Sequence, residues 1–218
     1  MNHRPDKPLD FRQPEHRVFP PAGDTEWAFT MENFRMWNIC GRNADHLKDA
    51  NVLELGCNGG RMSYAALYYG AKALVGVDLY AAHVAMCERA VPSGIFKQGD
   101  IRDHLSEPQG ADIVICAGVL YHLDEHERIF DGLALQLDTG AKMIIGDTAV
   151  RQEADSLRVT EFTDPAKWHT CIWPHQSTLI SECKKRGLTL TFHEWDESVY
   201  SAPQPNYGHH RKLFTITH

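Results

Sequence analysis

Four short stretches of this chain carry side chains able to do chemistry, and each follows an apolar run. Glu54-Leu55-Gly56-Cys57-Asn58-Gly59-Gly60 is a glycine-rich turn after Val52–Leu55. Glycines there let the backbone approach a ligand, and the N–H groups of a following helix face it. Asp78 comes twenty residues after Asn58. At that distance an acid can accept hydrogen bonds from both hydroxyls of a ribose. Asp100-Ile101 follows the next run: the carboxylate can take the exocyclic amine of a purine while Ile101 packs on its ring, or Asp100 can simply cap the turn at 101–105. Tyr121-His122, just after Ala117-Gly118, leaves a further run where a transferred group would lie.

These groups need a frame that brings them together. Apolar runs at 52–55, 73–77, 94–98, 112–117 and 142–146 read as strands, and helical patterns at 61–69, 81–91 and 124–137 alternate with them. That order implies a parallel sheet covered by helices on both faces, with ligands bound outside the carboxyl ends of its strands. Pro174 is expected in the first turn of a late helix with Leu179, Ile180 and Cys183 on its apolar face, ended by Gly187. Runs at 188–195 and 212–217 read as closing strands. The link between them holds Pro203, Pro205 and Gly208 and is not helical, so one of the two must run antiparallel. The fold expected is α/β, Rossmann-like and doubly wound, a mostly parallel seven-stranded sheet with one antiparallel edge strand and an N-terminal helical cap. Residues 1–49 form an arm and the cap helix, which starts near Asp24 or Thr25 and carries Trp27, Phe34 and Trp37 at helical spacing. Residues 50–218 form the core, with a polar insertion at 148–172.

Composition narrows the classes. The 218 residues are 43% hydrophobic, with a formal net charge of -7. That balance argues against nonspecific nucleic-acid binding, which needs a basic surface. There is no apolar run long enough to cross a membrane and no apolar h-region near Met1. Six cysteines are scattered without a CxxC pair, as expected for reduced thiols in a cytoplasmic protein. Thirteen histidines include no HExxH pair, and no metal is expected.

Taken together, Glu54 to Gly60, Gly76-Val77-Asp78, Gly99-Asp100-Ile101 and Gly118-Val119-Leu120-Tyr121-His122-Leu123 resemble the motifs of class I S-adenosylmethionine-dependent methyltransferases. Those enzymes usually have glycine where this chain has Asn58, the non-glycine type that best tolerates a left-handed backbone. Asn58 is therefore expected at positive φ or bonded through its own side chain. Asp24-Thr25-Glu26-Trp27, the Val-Leu-Tyr-His turn and Trp173-Pro174 resemble, more narrowly, the tRNA wobble-uridine carboxymethyltransferase branch, which uses a carboxylated cofactor. This chain is shorter at its N-terminus. It carries Trp168-His169-Thr170 where that branch has the Arg-Asn pair whose arginine helps hold the extra carboxylate.

The resemblance implies S-adenosyl-L-methionine as cofactor. Its binding residues would be Glu54, Gly56, Cys57, Asn58, Gly59, Asp78, Leu79, Asp100, Ile101, Ala117 and Gly118. His122 is the first candidate base, with Tyr121 holding the acceptor and His169 or His175 next. Arg61 is placed to meet a carboxylate. The function expected is methyl transfer to a small-molecule acceptor. The alternatives are a tRNA-modifying (carboxy)methyltransferase, whose basic contacts would come from Lys184-Lys185-Arg186 and Arg211-Lys212, and a noncatalytic S-adenosylmethionine-binding regulatory protein. A dinucleotide dehydrogenase would use Asp78 but give Asp100 and the Tyr-His turn no role.

Overall fold

A computed structural model describes residues 8–10, 12–13, 26–123, 125–151, 159–161, 170–202 and 210–218, with the side chains of 26–29, 159–161 and 170–172 left aside. Five apolar runs become parallel strands: β1 (Asn51–Leu55), β2 (Ala73–Asp78), β3 (Ile95–Gln98), β4 (Ile113–Ala117) and β5 (Met143–Ala149). Between them lie α3 (Arg61–Tyr68), α4 (Ala81–Ala90), α5 (Ile101–His104) and α6 (His126–Asp138). Ahead of β1 come α1 (Glu26–Ile39) and α2 (Ala44–Leu47). After β5 come β6 (Val159–Glu161), β7 (Thr170–Ile172), α7 (Gln176–Lys185), β8 (Thr189–His193) and β9 (Arg211–Thr217).

The seven-stranded sheet has the order β3-β2-β1-β4-β5-β9-β8. Strand order reverses between β1 and β4, so a crevice opens at their carboxyl ends. The antiparallel strand is β9, which pairs with both β5 and β8 and so lies one place in from the edge. Alternate residues of each strand feed two cores, because successive side chains point to opposite faces. Val52, Ile113, Ile115, Ile145 and Leu213 pack under α1, α3 and α4. Leu53, Leu55, Val114, Cys116, Ile144 and Phe214 pack under α5, α6 and α7.

Three local expectations change. Strand β5 runs on through Asp147, Thr148 and Ala149, so the insertion begins later than its polar sequence implies. Their backbones pair with Leu213, Lys212 and Arg211, which gives these polar residues a reason to be extended. Within the insertion, β6 and β7 form a two-stranded antiparallel sheet. Helix α7 starts after Pro174, with His175 as its N-cap. Leu179 and Cys183 are buried on it, whereas Ile180 is 43% exposed.

Helix α1 uses two faces. Phe34 stacks on Trp195 with ring centroids 5.1 Å apart, and Trp37 Nε1 donates to Asp196 at 3.0 Å. The opposite face offers Met31, Glu32, Arg35 and Met36 to the crevice. The aromatic stripe therefore docks the helix, and a polar stripe faces the site. The side chain of Trp27 lies outside the described residues.

Candidate active site

The crevice is a cleft of about 510 Å³ lined by the ends of β1, β2, β3 and β4 and by α1. Its floor is the glycine-rich turn. Gly56 has φ 67°, Asn58 φ 45° and Gly60 φ 84°. Asn58 thus takes the left-handed conformation expected of it. A Cβ on Gly56 would lie 2.7 Å from Val119 Cγ2, so this position needs glycine both for its φ and for space. Gly60 caps α3, whose first-turn N–H groups open toward the cleft.

Asp78 ties β2 to this turn. Its Oδ2 accepts the Asn58 N–H at 2.8 Å, and its Oδ1 accepts the Tyr80 N–H at 3.0 Å and meets His83 Nδ1 at 2.9 Å. The carboxylate braces the loop, and its residue lines the cleft. Leu79 lines the rim and is 55% exposed, and Ile101 is buried below it.

Asp100 accepts the Arg102 N–H at 2.9 Å and both guanidinium edges of Arg102, the shorter at 2.5 Å. Its turn-capping role is therefore realised, and the Arg102 bonds hold its carboxyl below the usual range. Cys57 contributes backbone only. Its thiol turns away to Cys87, with Sγ atoms 3.6 Å apart, and that contact together with burial keeps it protonated.

Glu54 shares the Val52 face of β1 and so points under α3. Ser63 Oγ donates to its Oε2, and the residue is 3% exposed. Burial raises its pKa to about 8, aided by the charge of Asp78 and opposed by Ser63 and Arg35. At neutral pH Glu54 holds a proton. Arg61 meets Glu32 of α1, Nε to Oε1, at 2.7 Å.

At the far end, Gly118 has φ 74°. Tyr121 and His122 follow it in a short 3-10 turn and line the cleft, their rings 4.3 Å apart. His122 is exposed at the mouth. His126 has metal-ligand spacing from His122, a pair that sequence reading overlooked, but His126 Nε2 contacts the Leu120 carbonyl at 3.0 Å. No metal-holding cluster of three or more His, Cys, Asp or Glu occurs among the described residues. His175 begins α7 and does not line the cleft, and His169 lies outside the described residues.

Sequence reasoning missed a buried ionic cluster here. Asp147 is 0% exposed and accepts Arg35 Nε at 3.1 Å, Arg35 Nη2 at 2.8 Å and Arg211 Nε. Burial pushes its carboxyl up, but the two guanidinium groups outweigh burial and hold it well below the ordinary range. The Arg211 guanidinium also sits 5.3 Å from the Tyr121 ring centroid. The cluster spans 112 and 64 residues of chain, so no local spacing announces it.

A cleft at the switch point, a left-handed glycine-rich turn and an acid at the end of β2 define the class I S-adenosylmethionine-dependent methyltransferase architecture. The chain belongs to the methyltransferase-domain family, whose sequence model matches residues 12–193. It is similar to a tRNA U34 carboxymethyltransferase of Helicobacter acinonychis, 27% identical over 173 residues. That match takes in 76% of this chain and 64% of the relative, so the chain spans under two thirds of the relative's length. Its fold resembles an S-adenosylmethionine dependent methyltransferase from Mesorhizobium loti (TM-score 0.61, 12% identity, 79% of this chain and 93% of that one). It also resembles the magnesium protoporphyrin IX methyltransferase of Synechocystis with bound S-adenosylmethionine (TM-score 0.60, 12% identity, 93% and 88%).

Proposed function

We propose that this chain transfers the methyl group of S-adenosyl-L-methionine to a small-molecule acceptor. The observation that carries the reading is the meeting, in one cleft, of Asn58, Asp78, Ile101, Gly118 and Tyr121-His122 from four strand ends. The cofactor fits this chemistry. Asp78 would hold a ribose, and Leu79 and Ile101 would border an adenine, with Asp100, already held by Arg102, at its edge. Glu54, Gly56, Asn58, Ala117 and Gly118, which line the cleft, would border the methionine half, with Cys57 adding its backbone, whereas Gly59 does not line it.

When bound, the cofactor would supply a methyl group activated on a sulfonium. The protein's part is then mainly placement, worth about 7–11 kcal/mol in the best intramolecular cases. His122, exposed at the mouth, takes the acceptor's proton where the acceptor must lose one. Tyr121 orients the acceptor beside it.

Small-molecule substrates are favoured because three of the five basic residues in the two clusters a tRNA would need are held by acids of this chain. Lys185 meets Glu182 at 2.6 Å, and Arg186 meets Glu182 at 2.7 Å and Asp131 at 2.6 Å. Arg211 is committed to Asp147. A salt-dependent gel shift with bulk tRNA would revive the tRNA reading, and catalysis with any acceptor excludes a purely regulatory role. Among the described residues no helix is long and apolar enough to cross a membrane. The five described cysteines are free thiols, which supports a cytoplasmic setting.

Calorimetry with S-adenosylhomocysteine tests the cofactor half. Binding is expected in the wild type and is expected to weaken at least about tenfold in Asp78→Ala, which removes a charged acceptor worth about 1.5–3 kcal/mol. No binding at millimolar ligand, or equal binding by the variant, refutes it.

A further inference from the structure

A second cavity, of about 280 Å³, opens on the α1 side of the sheet and shares no lining residue with the cleft described above. Its floor is apolar. Ile39 at the end of α1, Ile145 of β5, and Leu213 and Phe214 of β9 line it, and all four are buried. Its rim is basic. Arg42 of the 3-10 turn Gly41–Asn43, His46 of α2 and His193 of β8 line it, and no aspartate or glutamate does.

The rim groups are held by contacts that leave donors over. Arg42 Nη1 donates to the Glu194 carbonyl at 2.9 Å and to Asn38 Oδ1 at 3.4 Å, while its Nε and Nη2 have no acceptor among the described residues. His193 Nε2 contacts Thr215 Oγ1 at 2.9 Å, and its Nδ1 has no partner among the described residues. His46 is exposed and makes no hydrogen bond or ion pair among them. Asp196 feels the Arg42 charge, but its carboxyl is taken up by Trp37 Nε1 at 3.0 Å and the Ser198 N–H at 2.9 Å and does not line the cavity. Burial, helped by the Arg42 charge, holds the His193 imidazole below its ordinary pKa. Strands β5 and β9 present no titratable side chain to the cavity, so Arg42 and His46 are the groups of this kind that share it with His193.

We propose that this cavity binds a small organic carboxylate, with its apolar body on Ile145 and Leu213 and its carboxylate against Arg42, His46 and His193. The inference does not depend on methyl transfer, because the cavity is built without any lining residue of that cleft. The walls select the ligand class. A neutral apolar molecule would strip water from a guanidinium and give it no counter-charge, which costs free energy. An inorganic anion would satisfy the rim but leave the apolar floor wet, forgoing the gain from its burial. A carboxylate on an apolar body meets both demands, since its two oxygens accept charge-assisted hydrogen bonds from guanidinium and imidazole donors.

Benzoate and hexanoate, with benzamide and inorganic phosphate for comparison, are titrated into the whole chain by calorimetry. Both carboxylates are expected to bind with a Kd of about 1 mM or tighter, at least about tenfold more tightly than benzamide or phosphate. Arg42→Gln should weaken benzoate binding at least about tenfold, as loss of a charged donor does. His46→Glu changes an exposed position and sets a like charge at the rim, so it should weaken binding at least about threefold and keeps the test valid even if Arg42→Gln folds poorly. Binding should tighten several-fold from about pH 7.5 to about pH 5.5, and an NMR titration should place the His193 pKa higher with benzoate than without, because an adjacent anion favours the charged ring. Four results overturn the proposal: neither carboxylate binds at about 10 mM, benzamide or phosphate binds as tightly, both variants bind as the wild type does, or benzoate leaves the His193 titration in place. The third would move the ligand to the other cleft.

Discussion

Replacing Glu54 with glutamine isolates one buried proton. In the folded chain Glu54 titrates at about 8 against an ordinary 4.5, because burial under α3 disfavours its charged form. The difference is about 3.5 pH units, and at 1.36 kcal/mol per unit it amounts to roughly 5 kcal/mol as an upper figure. The sign follows from proton counts. Between pH 4.5 and 8 the unfolded chain has released this proton and the folded chain has not, so stability falls as pH rises through that window. Glutamine mimics the protonated carboxyl and does not titrate. The urea-unfolding free energies of wild type and Glu54→Gln should therefore match near pH 4.5, then separate, with the variant more stable by several kcal/mol at pH 8.5. Subtracting the two curves cancels every other titrating group. A difference that stays flat within about 0.5 kcal/mol from pH 5 to 8.5, the usual scatter of such comparisons, would refute the burial argument.

Three further outcomes follow from the same geometry. Asp147→Asn strips the counter-charge from two guanidinium groups; breaking a buried pair costs about 3–5 kcal/mol, and calorimetry should show a melting temperature lower by on the order of 10 °C. A shift under about 3 °C would mean that water solvates the cluster. Gly146→Ala places a Cβ 1.9 Å from the Cys116 carbonyl oxygen, between β5 and β4, and should abolish soluble folded protein as judged by circular dichroism. His122→Ala should lower kcat by about 10²–10⁴ while calorimetric S-adenosylhomocysteine affinity holds, and unchanged turnover removes His122 as the base.

The fold was legible because its signals are local. Val52–Leu55 and Ile113–Ala117 are continuous apolar runs, as strands buried on both faces must be. Gly56 and Gly60 punctuate the turn between strand and helix, and Asn58 at φ 45° follows from the short list of residues that accept that conformation. The strand end at Ala149 was not legible, since Asp147 and Thr148 resemble a loop until Arg35, Arg211 and the pairing with β9 are known.

The sequence by itself determined the alternating α/β order, the glycine-rich turn after β1 and the acids after β2 and β3. Each depends on residues close together in the chain, where periodicity and backbone preference act directly. Only the tertiary structure decided that Glu54 is buried and protonated and that Arg35 and Arg211 meet over Asp147 beside Gly118. Those outcomes depend on which strand lies beside which and on the water their packing excludes. Desolvation and pairing between charges far apart in sequence leave no periodic trace along the chain.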